Sequence, residues 1–165
     1  MSTPSPDQEL WDAFVAAKRE LNRRQADFYQ NAKNRTEILK GALAADSWQR
    51  ATALSYLATF SDDSLELLPQ LVDLSLTHAY ALSARQAIDR IPRHKLWPVL
   101  EPLVSAYLDA VDPDDYLRIA ELLTHIQAWP LLEQLIRRAR AIDDPDMLEL
   151  AEDYDRHGPT WLAKP

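Results

Sequence analysis

Trp129-Pro130-Leu131-Leu132-Glu133-Gln134-Leu135-Ile136 is the third appearance of one octapeptide pattern in this chain. It stands 32 residues after Trp97-Pro98-Val99-Leu100-Glu101-Pro102-Leu103-Val104. That stretch in turn stands 32 residues after Leu65-Glu66-Leu67-Leu68-Pro69-Gln70-Leu71-Val72. A fixed period of this length marks a solenoid of stacked helical pairs, because one pair cannot bury its apolar faces alone and packs on the next. The register predicts three core rows on the second (B) helix of each pair: Leu68/Leu100/Leu132, Leu71/Leu103/Leu135 and Val72/Val104/Ile136.

The first helices of the pairs repeat as well. Asp115-Tyr116-Leu117-Arg118-Ile119-Ala120-Glu121 matches Asp146-Met147-Leu148-Glu149-Leu150-Ala151-Glu152, 31 residues on. Working outward, residues 1–6 read as a disordered polar lead and residues 7–165 as a single domain. Residues 7–46 form two N-terminal capping helices. The first runs from Asp7 to about Asn31 with Leu10, Trp11, Phe14, Val15, Leu21, Phe28 and Tyr29 on one stripe. The second is expected to be capped by Asn34 and carries Ile38, Leu39, Ala42 and Leu43. Three repeats come next, over 47–78, 81–109 and 113–141. Their helices are expected at Ser47–Phe60 and Ser64–His78, Ser83–Ile91 and Lys95–Leu108, and Asp115–Gln127 and Trp129–Ala141. Residues 144–165 make a half-repeat with a helix from Asp146 to about Arg156, after which His157–Leu162 folds back or docks on another chain.

Pro69, Pro98 and Pro130 are expected in or near a first turn, where the missing donor costs little, and Pro102 deeper, where it kinks its helix. The five tryptophans, Trp11, Trp48, Trp97, Trp129 and Trp161, read as core or unit-junction anchors.

Composition removes several function classes. The chain of 165 residues has two glycines, Gly41 and Gly158, against roughly eleven at average usage. Phosphate-cradling loops need glycine for close backbone approach, so they are not expected. Cysteine is absent, which removes thiolate nucleophiles, disulfides and cysteine-based metal sites, and fits a reducing compartment. Neither a signal peptide nor a membrane span is visible, and a cytoplasmic location is expected. Charge is unevenly placed. Residues 1–45 hold seven Lys/Arg and six Asp/Glu, a balance of +1, whereas residues 46–165 hold eleven and twenty, a balance of −9. An acidic body repels nucleic acid and favours basic partners.

Paired amphipathic helices, early prolines, an aspartate at the turn and an arginine within the pair make residues 47–157 resemble the HEAT-like, armadillo-type α-helical repeats. The units are shorter than is usual in that family. The resemblance implies an all-α, right-handed α-solenoid of about nine helices whose loops lie along one edge. A tetratricopeptide reading lacks its Trp…Leu-Gly…Tyr pattern.

On that frame the connections between repeats are unusually acidic. Asp112-Pro113-Asp114-Asp115 returns as Asp143-Asp144-Pro145-Asp146. An aspartate before proline at a helix start is an N-cap followed by an N1 proline, and first-turn acids suit the helix dipole. The carboxylates of Asp112, Asp114, Asp115, Asp143, Asp144 and Asp146 exceed what two caps require and would dock a basic protein. Between the B-helix core rows, Asp73, Glu101 and Glu133 fall on a face that is either simply solvated or part of a partner groove. His94, His125 and His157 recur near turns, but neighbouring helices stand ~8–10 Å apart. That is too far for imidazoles to share an ion at about 2.0–2.1 Å. Arg137, Arg138 and Arg140 form a basic cluster expected to pair internally.

No catalytic, cofactor-binding or metal residue is expected. The expected function is a non-catalytic protein-binding module similar to small acidic immunity proteins, which neutralise a cognate toxin such as a basic nuclease. The expected partner is another protein, with neither nucleic acid nor membrane, and the chain itself is a monomer or weak homodimer. An adaptor in a larger complex is the alternative. A HEAT-like DNA glycosylase type of DNA binder is more remote, since it needs a cationic channel.

Overall fold

A computed structural model describes the backbone of residues 5–162 and the side chains of residues 5–158. Among the described residues there are nine helices and no strand. They are α1 (Pro6–Asn31), α2 (Arg35–Ala44), α3 (Ser47–Leu57), α4 (Leu68–Leu76), α5 (Ala81–Asp89), α6 (Arg93–Leu108), α7 (Pro113–His125), α8 (Trp129–Arg140) and α9 (Pro145–Leu162). The fold is all-α. Residues 1–4 of the expected lead lie outside the described residues, as does the side chain of Trp161. No described helix is long and apolar enough to cross a membrane.

Local chemistry sets the helix ends. Ser5 caps α1 by accepting from the Gln8 amide at 3.2 Å, and Asp46 caps α3 by accepting from Gln49 at 3.0 Å. Asn34 precedes α2 but makes no side-chain cap bond. The expected helix from Ser64 starts only at Leu68, and residues 62–67 form turns instead. The late start places Pro69 in the first turn of α4, where its ring meets no helical carbonyl and its missing donor costs little. Conversely, α6 starts at Arg93, which places both Pro98 and Pro102 inside the helix rather than Pro98 at its first turn. Each proline withholds a donor from the carbonyl four residues earlier, those of His94 and Pro98.

The helix expected to end near Arg156 continues to Leu162, through the segment read as folding back or docking on another chain. Gly158 does not end α9, and its bare Cα lies against the Tyr154 ring. A Cβ there would approach the ring to 3.1 Å.

With so little glycine, two ordinary residues take the left-handed conformation that closes a helix. Gln127 has φ 58° and completes a Schellman motif, with Ala128 N–H donating to the Leu123 carbonyl at 2.8 Å and Gln127 N–H to Thr124 at 3.1 Å. Val111, φ 53°, is left-handed before α7 despite its β-branch, with its N–H donating to the Leu108 carbonyl at 3.3 Å.

The helices stack as a solenoid. α3, α5, α7 and α9 follow one another as a row, each packed on the next. The other helices lie against that row: α4 on α5 and α7, α6 on α7, and α8 on α7 and α9. Of the residues placed in the three core rows all are buried except Leu103, which is half-buried against the same core. Ile88, Ile119, Leu122 and Leu123 fill the first-helix side with no exposure.

The N-terminal helices attach through a polar clamp. Arg35 Nε donates to Asp63 Oδ2 at 2.5 Å and Arg35 Nη1 to the Tyr29 carbonyl at 2.6 Å. Thr36 Oγ1 donates to Asp63 Oδ1 at 2.7 Å, and the Tyr29 hydroxyl to Asp62 at 2.5 Å. The Asp62 carboxylate keeps the Tyr29 proton in place and raises that phenol above its ordinary pKa. Aromatic contacts finish the joint, with Tyr29 stacked on Phe60 at 4.7 Å and Phe28 edge-on to Tyr56 at 5.3 Å.

α1 otherwise buries nothing. Leu10, Trp11, Phe14 and Leu21 are between 46% and 72% exposed, so the apolar stripe expected to cap the stack faces solvent instead. Trp48, 81% exposed, is not a core anchor either, while Trp97 and Trp129 do pack against the core.

Asp63 is 8% exposed on its side chain and holds two groups, Arg35 and Thr36, so Asp63→Ala leaves the half-buried Arg35 without its carboxylate partner. The expected loss is about 3–5 kcal/mol by urea denaturation. A loss under about 1 kcal/mol would mean that the clamp is not what holds α2 to the stack. Val111→Gly should move stability the other way, by up to about 1 kcal/mol. Relief of a strained φ exceeds the loss of a side chain that is half exposed.

Candidate functional site

The two acidic loops meet at one edge, as the repeat requires, and the structure divides their carboxylates into two groups. Asp112 Oδ1 accepts from the amides of Asp114 and Asp115 at 2.9 and 3.2 Å. Asp144 Oδ1 accepts from Asp146 and Met147 at 2.9 and 3.3 Å. Both are N-caps with proline at the first helical position, so one carboxylate oxygen of each is taken up by its own helix.

Asp114 and Asp146 belong to the other group. Their carboxylates have no cationic partner among the described residues, and both line a cleft of about 330 Å³ between α7 and α9. Glu149 and Asp153 line the same cleft, together with Leu117 and Leu150. Sequence reasoning missed Glu149 and Asp153. The signal was available, since positions 146, 149 and 153 lie on one helical face at i, i+3 and i+7. Asp153 shares its charge with His157, 3.5 Å away, when that imidazole is protonated. Asp115 sits half-buried in the first turn of α7, and Asp143 is exposed just before the α9 cap. Neither lines the cleft.

Helix dipoles favour two of these four acids where they stand. Asp114 and Asp146 are in first turns, where the amide ends of α7 and α9 carry partial positive charge. That compensation stabilises the carboxylates in place but leaves their outer oxygens facing solvent. The result is a negative rim around an apolar floor.

The second candidate face is dispersed. Asp73, Glu101 and Glu133 are exposed on α4, α6 and α8 respectively. Glu101 lines a hollow of about 300 Å³ with Ser105, Gln134 and Arg137, whereas Asp73 and Glu133 stand outside it. Although exposed, Asp73 loses enough solvent to nearby protein that its pKa is raised. Of the basic cluster, Arg138 pairs with Asp109 at 2.8 Å and Arg140 pairs with Asp155. Arg137 is left facing the hollow.

The histidines do not converge. His94 is near the start of α6, His125 ends α7 and His157 lies in α9. Among the described residues no group of three or more His, Asp or Glu is placed to hold a metal. A third concavity, about 440 Å³, is bordered by the Arg85–Glu121 ion pair at 2.7 Å, Thr124 and His125.

No protein-family model matches the chain, and neither does any curated protein or solved structure.

The two groups of aspartates should separate in solution. Asp112→Ala and Asp144→Ala each remove a cap and are expected to cost about 0.5–2 kcal/mol in urea denaturation. Asp114→Asn and Asp146→Asn should stay within about 0.5 kcal/mol of the parent. If all four cost the same, the cleft acids are structural and have no charge to spare for a partner.

Proposed function

We propose that this chain is a HEAT-like repeat module that binds another protein through its acidic edge and carries out no chemistry. In its narrower form the proposal is an immunity-type inhibitor that neutralises a basic toxin. The observation that carries it is the cleft at the α7 and α9 starts, where Asp114, Asp146 and Glu149 stand around Leu117 and Leu150 without internal counter-charges.

An ion pair satisfied within the fold has little left for a partner. Uncompensated carboxylates around an apolar floor offer what a protein interface uses, namely a desolvated centre with charged surroundings. The −9 balance of residues 46–165 adds long-range attraction for a cationic surface, which raises the association rate more than the final affinity. The same field opposes phosphate backbones, and so disfavours the DNA-binding alternative.

The test is recovery of a partner from extract of the native cell by the tagged chain. The Asp114→Lys/Asp146→Lys/Glu149→Lys variant is carried in parallel. A basic protein should be retained in one-to-one ratio by the parent chain, weaken as salt rises, and be lost with the variant. Equal retention by both chains, or no stoichiometric protein at all, would overturn the reading. Inhibition of that partner's own activity by the purified chain separates an inhibitor from an adaptor.

A further inference from the structure

α1 is out of proportion to what it touches. It spans 26 residues, yet only its C-terminal end is held, by Phe28 and Tyr29. The remainder projects with Leu10, Trp11, Phe14 and Leu21 uncovered. These residues are not scattered. Leu10, Phe14, Leu21 and Phe28 follow one another by steps of four, seven and seven; Ala17 takes the intervening position of the first heptad and Arg24, paired with Glu20, that of the second. That is the a/d seam of a helix built to pack along another helix.

Where α1 joins the body, the seam runs into an apolar groove of about 490 Å³ formed with α2 and α3, bordered by Leu21, Phe28, Ile38, Ala42 and Trp48. Ile38 and Trp48 are 59% and 81% exposed. The molecule therefore presents an uncovered apolar helix and an uncovered apolar groove, continuous with each other.

We propose that this face is occupied by a second copy of the same chain, with the two α1 helices antiparallel. Each projecting Leu10–Trp11–Phe14 segment then lies over the other's groove. Three considerations on charge, area and symmetry select that occupant. α1 holds four Lys/Arg and five Asp/Glu, a balance of −1, against −9 for residues 46–165, so α1 is where two copies of an acidic chain meet with the least repulsion. An antiparallel pair sets the two acidic bodies at opposite ends of the helices. From Leu10 to Phe28 that is about 27 Å of rise, well beyond the ~8 Å screening length at physiological salt.

The area is adequate. Trp11, Phe14 and Trp48 are each more than half exposed, and an aromatic side chain covers about 150–250 Å² when fully buried. These three supply about half of the ~800 Å² per partner of a stable association, before the leucines, Ile38 and the helix backbone are added. Finally, helix and groove belong to the same surface, so a two-fold axis satisfies both at once: each copy gives its helix and receives the other's.

The parent chain is expected to be a dimer by analytical ultracentrifugation at micromolar concentration. The Leu10→Ser/Phe14→Ser/Leu21→Ser variant should be a monomer with unchanged unfolding of the body, since none of the three is buried. Orientation is read separately. The natural chain has no cysteine, so Ala13→Cys and Gln49→Cys each introduce a single thiol.

Mixing these two chains with a short bis-maleimide should give the mixed cross-link in preference to pairs of Ala13→Cys chains. A parent chain that stays monomeric at ~100 μM overturns the proposal, as does a dimer that survives the triple substitution. Predominant linkage between two Ala13→Cys chains overturns the antiparallel arrangement. Capture of the monomer by anionic lipid vesicles, with no dimer formed, overturns it in favour of a membrane surface. None of these outcomes depends on the acidic edge, whose loss of partner is read independently.

Discussion

A single helical pair of about thirty residues cannot cover its own apolar surface, and every larger feature of this protein follows from that shortage. Leu68, Leu100 and Leu132 are each buried, and each comes from a pair with nothing to bury it except the next pair. The row formed by α3, α5, α7 and α9 is therefore both the core and the ruler of the molecule. It sets the separation of corresponding loops, and through that it brings Asp114 to the same cleft as Asp146. The site is a by-product of translation.

The ends of such a stack need a different solution from its middle, and the N-terminal end uses polar chemistry. Asp63 is nearly buried and accepts from both Arg35 and Thr36. A buried charge of this kind contributes little net stability against a hydrophobic alternative, but it is exacting in geometry. It fixes the angle at which α1 and α2 leave the stack. Because α1 departs rather than lying back on the body, its seam and the adjoining groove stay open. The polar clamp is thus what makes the apolar face accessible.

Much of this was legible from spacing. The 32-residue step gave the core rows, and Leu103 departs from them only in degree. Capping by Asp112 and Asp144 followed from an aspartate preceding proline, and both bonds are present. Pairing of Arg138 and Arg140 with nearby acids also followed. What misled was local reasoning about neighbours in space. The stripe on α1 has the periodicity of a buried face, and periodicity does not say whether a partner face exists within the chain. Trp11 and Trp48, which read as core or unit-junction anchors, are both exposed. Glu149 and Asp153 lie outside the repeated loop, although their helical register with Asp146 already places them beside it.

The sequence by itself determined the class of fold, the core rows and the caps at Asp112 and Asp144, though not the one expected at Asn34. These depend on periodicity and on bonds between residues two to four apart, which any chain of this composition makes locally. Tertiary structure decided which carboxylates share a cleft, because that depends on where the next helix of the stack lies. It also decided that α4 starts late, that α9 runs on past Gly158, and that α1 stands away from the body. Contacts between residues far apart in the chain, such as the Arg35–Asp63 ion pair spanning 28 residues, are beyond what local periodicity specifies.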